Sequence, residues 1–104
     1  MVKHEALKNH LETLRNSIPD LRGVLLASNE GLPVAHSLSS GADPNRLAAM
    51  AAAASSLGRR ISESMATGGL SEVHIRGDEG VLFVYFAGQK AVLAVIGRWI
   101  RMPV

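Results

Sequence analysis

The chain has 104 residues, 47% of them hydrophobic and 19% charged, a balance typical of one globular domain over residues 1–104. Its 11 Lys and Arg against 9 Asp and Glu leave a formal net charge of +2, too small an excess to indicate nucleic-acid binding. The lack of cysteine excludes disulfides and thiolate chemistry and suits the cytoplasm, and no apolar run reaches the roughly 18 residues of a membrane span.

The first element predicted is an amphipathic helix over residues 3–17. Its apolar residues Leu7, Leu11, Leu14 and Ile18 recur at intervals of four, three and four. The stretches GVLLAS and LPVAHSL come next and flank the turn residues Asn29-Glu30-Gly31, which predicts a β-hairpin. A proline at position 33 places the second strand at a sheet edge.

The longest predicted element is a second helix over residues 44–67. Asp43 is suited to cap its first turn, Pro44 to occupy its first position, and the pair Gly68-Gly69 to end it. Three strands in a tight meander follow. They are predicted at residues 70–76, 81–87 and 91–96.

The order helix, two strands, helix, three strands predicts an α+β fold with a five-stranded, mostly antiparallel sheet. The strands at 81–87 and 91–96 are apolar on both sides, so we expect one helix on each face of the sheet. The strand at 70–76 alternates polar and apolar residues, which is typical of an edge strand.

The second helix presents two different faces when it is projected at about 100° per residue. The face predicted to pack on the sheet comprises Leu47, Met50, Ala51, Ala54, Leu57, Gly58, Ile61 and Met65. The opposite face comprises Ala49, Ala52, Ala53, Ser56, Arg60 and Glu63. Alanine there either raises helix propensity on an exposed face or allows close approach of the same helix from a second copy about a two-fold axis. We predict the second alternative, a homodimer.

The sequence resembles the Roadblock family in three stretches. They are VLLASNEGLPVAHSL, LAAMAAAASSLGRRI and LSEVHIRGDEGVLFVYFAGQKAVLAVI, spanning roughly residues 5–97. The resemblance implies a Roadblock/longin-like fold that dimerises through the second helix and the third strand, forming one continuous sheet. The strand residues expected at that interface are Glu72, Val73, His74 and Ile75. The tail RWIRMPV is shorter than the C-terminal helix of some family members.

Candidate catalytic and metal-binding patterns are weak. His4, His10, His36 and His74 lack a helical partner three or four residues away, so we predict no metal site. The serines lack a Gly-x-Ser-x-Gly motif, and the glycines near the C-terminus lie between strands rather than before a helix. We predict no enzymatic activity.

The resemblance further implies a cytoplasmic scaffold or regulator of a small Ras-like GTPase. The predicted partner-binding residues lie beside the helix seam and are Ala48, Ser55, Arg59 and Ser62. The pair Arg59-Arg60 could supply an arginine to the GTPase site, but it is better explained as favourable charge in the second half of a helix. A small-ligand sensory module and a structural adaptor stay open as alternatives. A cavity lined by Phe83, Tyr85 and Phe86 would favour the sensor.

Overall fold

The computed structural model describes residues 2–39 and 41–98, except for the side chains of residues 2–4. The elements are α1 (Val2–Ser17), β1 (Leu21–Ser28), β2 (Pro33–Leu38), α2 (Pro44–Ser64), β3 (Glu72–Arg76), β4 (Gly80–Phe86) and β5 (Ala91–Arg98). This order confirms the predicted fold. Residues 99–104, which make up most of the tail RWIRMPV, lie outside the described residues.

The strands form one sheet in the order β2-β1-β5-β4-β3, and every neighbouring pair is antiparallel. Both predicted edge strands, β2 and β3, lie at the edges. The pairing of β1 with β5 joins the hairpin to the meander at the centre of the sheet. Backbone hydrogen bonds from Asn29 N to Lys90 O (3.1 Å) and from Arg98 N to Asp20 O (2.7 Å) extend this junction at its two ends.

The two helices cover opposite faces of the sheet, as predicted. Leu11 of α1 packs with Val24 and Ala35 on the face that α1 shares with β1 and β2. The next residue of β1, Leu25, faces the other side because successive side chains alternate along a strand. There it joins the larger core cluster, whose other members are Ala27, Ala48, Ala51, Val84, Val92 and Ala94.

Helix α2 begins as predicted and ends three residues earlier. The Asp43 carboxylate accepts a hydrogen bond from Asn45 N (3.0 Å), and Pro44 occupies the first turn, where its missing N–H costs nothing. At the other end, Ala66 adopts a φ of 59° and Gly68 a φ of 88°. Since L-residues cannot continue a right-handed helix at positive φ, the chain has left the helix by Ala66, two residues before the predicted glycine pair begins.

The predicted orientation of α2 is confirmed for Leu47, Ala51 and Gly58, which face the sheet, and is wrong for the four large residues further out. The residues buried against the sheet are Ala48, Ala51 and Ser55, whereas Met50, Leu57, Ile61 and Met65, all predicted to face the sheet, are exposed. The helix carries two periodic stripes, one of small residues and one of large apolar residues. The large residues were predicted to pack on the core, because burial of large apolar area is the usual driving force.

Close packing explains why the small residues face the sheet. A Cβ added to Gly58 would lie 2.9 Å from Leu70 Cδ2 and 3.2 Å from Val73 Cγ2. At the other side of the helix, the β1–β2 turn approaches so closely that a Cβ on Gly31 would lie 3.2 Å from Ala49 Cα. Alanine and glycine therefore let α2 sit deep on the sheet, which leaves the large residues on the outward face.

Candidate protein-interaction site

The outward face of α2 carries four large apolar side chains, which we call the α2 stripe: Met50, Leu57, Ile61 and Met65. Their exposed fractions are 57%, 58%, 54% and 67%. Large apolar side chains scattered singly on a surface are ordinary, but Leu57, Ile61 and Met65 line one shallow depression together, and grouped apolar side chains of this kind mark interaction sites. The stripe is therefore the first candidate for an interface.

The α2 stripe lies beside the free edge of the sheet. Helix α2 crosses β3 at Gly58, where an added Cβ would lie 3.2 Å from Val73 Cγ2. The stripe residues Leu57 and Ile61 lie on either side of Gly58 in the sequence. On β3 itself, Ile75 shares the face of Val73 and is 50% exposed. In the part of the chain that the structure describes, β3 is the last strand on this side of the sheet, so the stripe and the β3 edge form one apolar surface at the margin of the sheet.

The opposite flank of α2 is polar and contains Arg59. The Arg59 guanidinium lies 4.5 Å from the centroid of the Phe86 ring, a cation–π contact that fixes the position of its charge. Asn29, Ser56 and Arg59 line a small recess of about 110 Å³ there. Asn29 Nδ2 donates to Gln89 O (2.7 Å), which ties the β1–β2 turn to the β4–β5 turn next to Arg59.

Most of the predicted dimer-interface residues are accessible in this chain. On α2, Ala52 is half-buried and the other members are exposed, namely Ala49, Ala53, Ser56, Arg60 and Glu63. On β3, Val73 is half-buried, while Glu72, His74 and Ile75 are exposed. Their contact with a second copy stays a prediction. The residues of the α2 stripe were recognised from their helical periodicity, but they were predicted to pack on the sheet rather than to form an exposed surface.

Two of the four predicted partner-binding residues are not on the surface. Ala48 is fully buried and Ser55 is 5% exposed, with its hydroxyl donating to Ala51 O (3.0 Å) within the helix. Placing them in a partner surface was wrong, because the small-residue face of α2 packs on the sheet. Ser62 is half-buried and donates to Gly68 O (2.7 Å), so it holds the loop after α2. Arg59 alone is exposed.

The three aromatic residues of β4 do not share a cavity. Phe86 packs against the core cluster under α2, whereas Phe83 and Tyr85 stack on each other on the other face of the sheet, with ring centroids 6.1 Å apart. The alternation of side chains along β4 separates them. The condition set for a sensory module, one cavity lined by all three rings, is therefore not met.

An apolar recess of about 390 Å³ lies where the N-terminal turn of α2 meets the sheet. Leu47, Ile75, Leu82 and Ile96 contribute to its wall, and it opens to the surface rather than enclosing space. Because Ile75 belongs to β3, this recess continues the apolar surface of the α2 stripe and the sheet edge. An open apolar depression of this kind suits a protein contact better than a small ligand, which is usually enclosed.

Within the described part of the chain, no three His, Asp or Glu side chains come together in a group that could hold a metal ion. His74 instead contacts Glu72 of its own strand through Nε2 and Oε2, and its ring meets Phe83 edge-on with centroids 4.6 Å apart. Both helices of residues 2–39 and 41–98 are too short or too polar to cross a membrane.

Comparison with known proteins identifies the fold. The model of the Roadblock/LC7 domain family matches residues 7–97. A Roadblock/LC7 domain from Streptomyces avermitilis is similar in structure with a TM-score of 0.79 and 28% identity, over 88% of this chain and 77% of that chain. A comparison with curated proteins gave no match.

Two further similar structures are MglB proteins. The gliding protein MglB from Thermus thermophilus has a TM-score of 0.78 and 21% identity, over 91% of this chain and 73% of that chain. Myxococcus xanthus MglB has a TM-score of 0.75 and 18% identity, over 93% of this chain and 71% of that chain. At these identities the likeness shows a shared fold.

Proposed function

Since the chain belongs to the Roadblock/LC7 domain family, a family of non-catalytic interaction modules, we propose that it forms a cytoplasmic homodimer that binds and modulates a small Ras-like GTPase. The family membership supports the class of partner. The observation that carries the dimer is the α2 stripe, four large apolar side chains exposed next to β3, the outer strand of the sheet among the described residues. A chain that leaves both features in water is exposed to aggregation unless something covers them.

A second copy related by a two-fold axis would cover both features together. The two β3 edges would pair to continue the sheet, and the two α2 stripes would meet above that seam, because α2 crosses β3 at Gly58. In an isologous interface the same patch serves both protomers, so the apolar stripe needs no different complementary surface. Ala53 and Arg60 border the stripe and would lie at the margin of the contact. The other α2 residues predicted from the sequence to lie in the seam, Ala49, Ala52, Ser56 and Glu63, would lie outside it in this arrangement.

The flank of α2 that carries Arg59 faces away from β3 and would stay free in this dimer. Arg59 is exposed there, and Phe86 and the tied β1–β2 turn hold its surroundings in place. A fixed positive charge on both protomers would give a two-fold platform suited to an acidic patch on a GTPase. We propose this flank, rather than the buried Ala48 and Ser55, as the partner-binding surface.

The proposed function is tested with the Ras-like GTPase encoded nearest to this chain. The purified dimer is titrated by calorimetry with the GTPase loaded with GDP or with a non-hydrolysable GTP analogue. We expect binding to one state to be at least about tenfold tighter, because a ligand with equal affinity for two states shifts no equilibrium.

Light scattering on the same samples reports the oligomeric state independently of binding. A dimer that binds neither nucleotide state would contradict the GTPase part of the proposal and return the chain to the sensory or adaptor alternatives. A monomer at micromolar concentration would contradict the dimer.

A further inference from the structure

The small recess on the polar flank of α2, which we call the Arg59 recess, is built by parts of the chain that are far apart in the sequence. Its lining residues come from α2, the β1–β2 turn and β5, and they are Ala52, Ser55, Ser56, Arg59, Asn29 and Val92. The recess therefore forms only when the chain is folded. It lies within a single copy and needs no second copy to complete it.

The recess has a closed floor and a polar rim. Val92 is fully buried, and the buried Ser55 uses its hydroxyl proton in a hydrogen bond to Ala51 O (3.0 Å). Asn29, Ser56 and Arg59 are exposed at the rim. A side-chain amide, a hydroxyl and a guanidinium all carry hydrogen-bond donors. The rim can therefore donate to a group that enters from solvent.

Arg59 brings a positive charge to this rim, and no carboxylate of the described residues forms an ion pair with it. Its guanidinium carbon lies 4.5 Å from the centroid of the Phe86 ring. The five N–H donors of a guanidinium lie in its own plane, so contact through one face leaves them available. Phe86 packs against the core cluster, which holds this contact in place. The charge is thus positioned without being neutralised.

Asn29 is held by two hydrogen bonds to the β4–β5 turn. Its side-chain Nδ2 donates to Gln89 O (2.7 Å), and its backbone N donates to Lys90 O (3.1 Å). An amide nitrogen carries two hydrogens, so one Nδ2 donor remains after the bond to Gln89. Groups that are ordered before association lose less entropy on binding. Both Asn29 and Arg59 are therefore preorganised by contacts within the chain.

The size of the recess limits what it can hold. Its volume is about 110 Å³, below the roughly 300–1,000 Å³ of pockets that take drug-sized ligands. One water molecule occupies about 30 Å³ in the liquid, so the recess has room for about three or four of them. A nucleotide is too large for this space. The end of one side chain fits.

Resting on the proposed function for the identity of the partner, we infer that the Arg59 recess receives one Asp or Glu side chain of the GTPase. Its carboxylate accepts hydrogen bonds from Arg59 and from Ser56 or Asn29, and bonds of this kind are strengthened by charge. Arg59 is the one cation among the described lining residues, so one negative charge balances it. A phosphate group carries about −1.5 to −2 charges and would need a second cation.

Capped amino acids test the recess without any GTPase. The probes are N-acetyl-aspartate N-methylamide and its neutral counterpart, N-acetyl-asparagine N-methylamide, each titrated into isotope-labelled protein and followed by NMR. We expect the aspartate probe to shift the signals of Arg59 Nε–H and Asn29 Nδ2–H with a dissociation constant of about 10 mM, since one side chain makes few contacts. The asparagine probe has nearly the same shape without the charge and should cause no such shift. Sodium chloride at equal ionic strength is the control for screening.

A plug in the recess tests its use by the partner. Ser56→Leu fills the opening without changing any charge, and the variant should fold and dimerise normally because position 56 is exposed and outside the proposed seam. It should abolish the shifts caused by the aspartate probe and weaken GTPase binding by about tenfold. Asn9→Leu is the matched control. It adds the same side chain at an exposed position of α1, on the opposite face of the sheet, and should leave both measurements unchanged.

The outcomes separate this inference from the proposed function. Equal shifts with the two probes, or none at the rim with either, would overturn the carboxylate site even if the GTPase binds. Tighter binding of inorganic phosphate than of the aspartate probe would overturn the choice of a carboxylate. GTPase binding that Ser56→Leu leaves unchanged would overturn the recess as the contact. A protein that binds the aspartate probe but no GTPase would contradict the proposed function while supporting the carboxylate site.

Discussion

At the scale of single residues, alanine size decides how close α2 lies to the sheet. Ala51 is fully buried, so Ala51→Leu adds three carbons where no space exists and should lower the free energy of unfolding by about 1–3 kcal/mol. Ala6→Leu in α1 is the matched control and should change it by less than about 0.5 kcal/mol, because position 6 is exposed. Urea denaturation of both variants makes the comparison. Equal effects would contradict the orientation of α2.

At the scale of elements, the α2 stripe and the β3 edge should act as one dimerisation surface. Leu57 is 58% exposed in the single chain, so Leu57→Glu should fold normally. In the dimer the carboxylate would be buried without a partner, a cost of about 3–5 kcal/mol, which corresponds to at least a hundredfold weaker association. Sedimentation equilibrium measures this, with the exposed α1 position Asn16→Glu as the control. An unchanged dimer would remove the stripe from the interface.

The β3 edge makes a separate prediction about hydrogen exchange. The bond from Gly77 N to Gly80 O (2.8 Å) sets the alternation of the β3–β4 ladder, so the amides of Val73 and Ile75 donate to β4 and those of Glu72 and His74 point to the outer edge of the sheet. In the dimer the amides of Glu72 and His74 should exchange slowly, because each would donate to the partner's β3. In the monomeric Leu57→Glu variant those two amides should exchange quickly, while the amides of Val73 and Ile75 stay slow in both proteins and serve as an internal control. Fast exchange at both outer amides of the dimer would exclude a continuous sheet.

At the scale of the whole molecule, the Arg59 flank should bind the GTPase while the stripe holds the dimer. Arg59→Glu reverses a charge on the free flank and should weaken GTPase binding by about tenfold or more, with the larger effect at low salt, where screening is least. The dimer should remain intact by light scattering. Arg59→Lys keeps the charge and should retain most of the affinity. Wild-type affinity in Arg59→Glu would place the partner surface elsewhere.

The sequence alone determined the elements, their order and the two edge strands. Local signals are sufficient for these features. Asp43-Pro44 sets the start of α2 through backbone capping, and Pro33 cannot donate a hydrogen bond within a central strand. The family resemblance added the Roadblock fold, which the match over residues 7–97 confirms. Each of these features depends on residues close together in the chain.

Only the tertiary structure decided which face of α2 is buried and which strands meet at the centre of the sheet. Both stripes of α2 have helical periodicity, and periodicity cannot tell a core face from an interface. The choice depends on the sheet beneath, where Leu70 and Val73 leave room for a glycine at position 58 and for nothing larger without movement. The packing of α2 on the sheet, whose central strands are joined by the β1–β5 pairing, buries Ala48 and Ser55. It leaves Met50, Leu57, Ile61 and Met65 exposed.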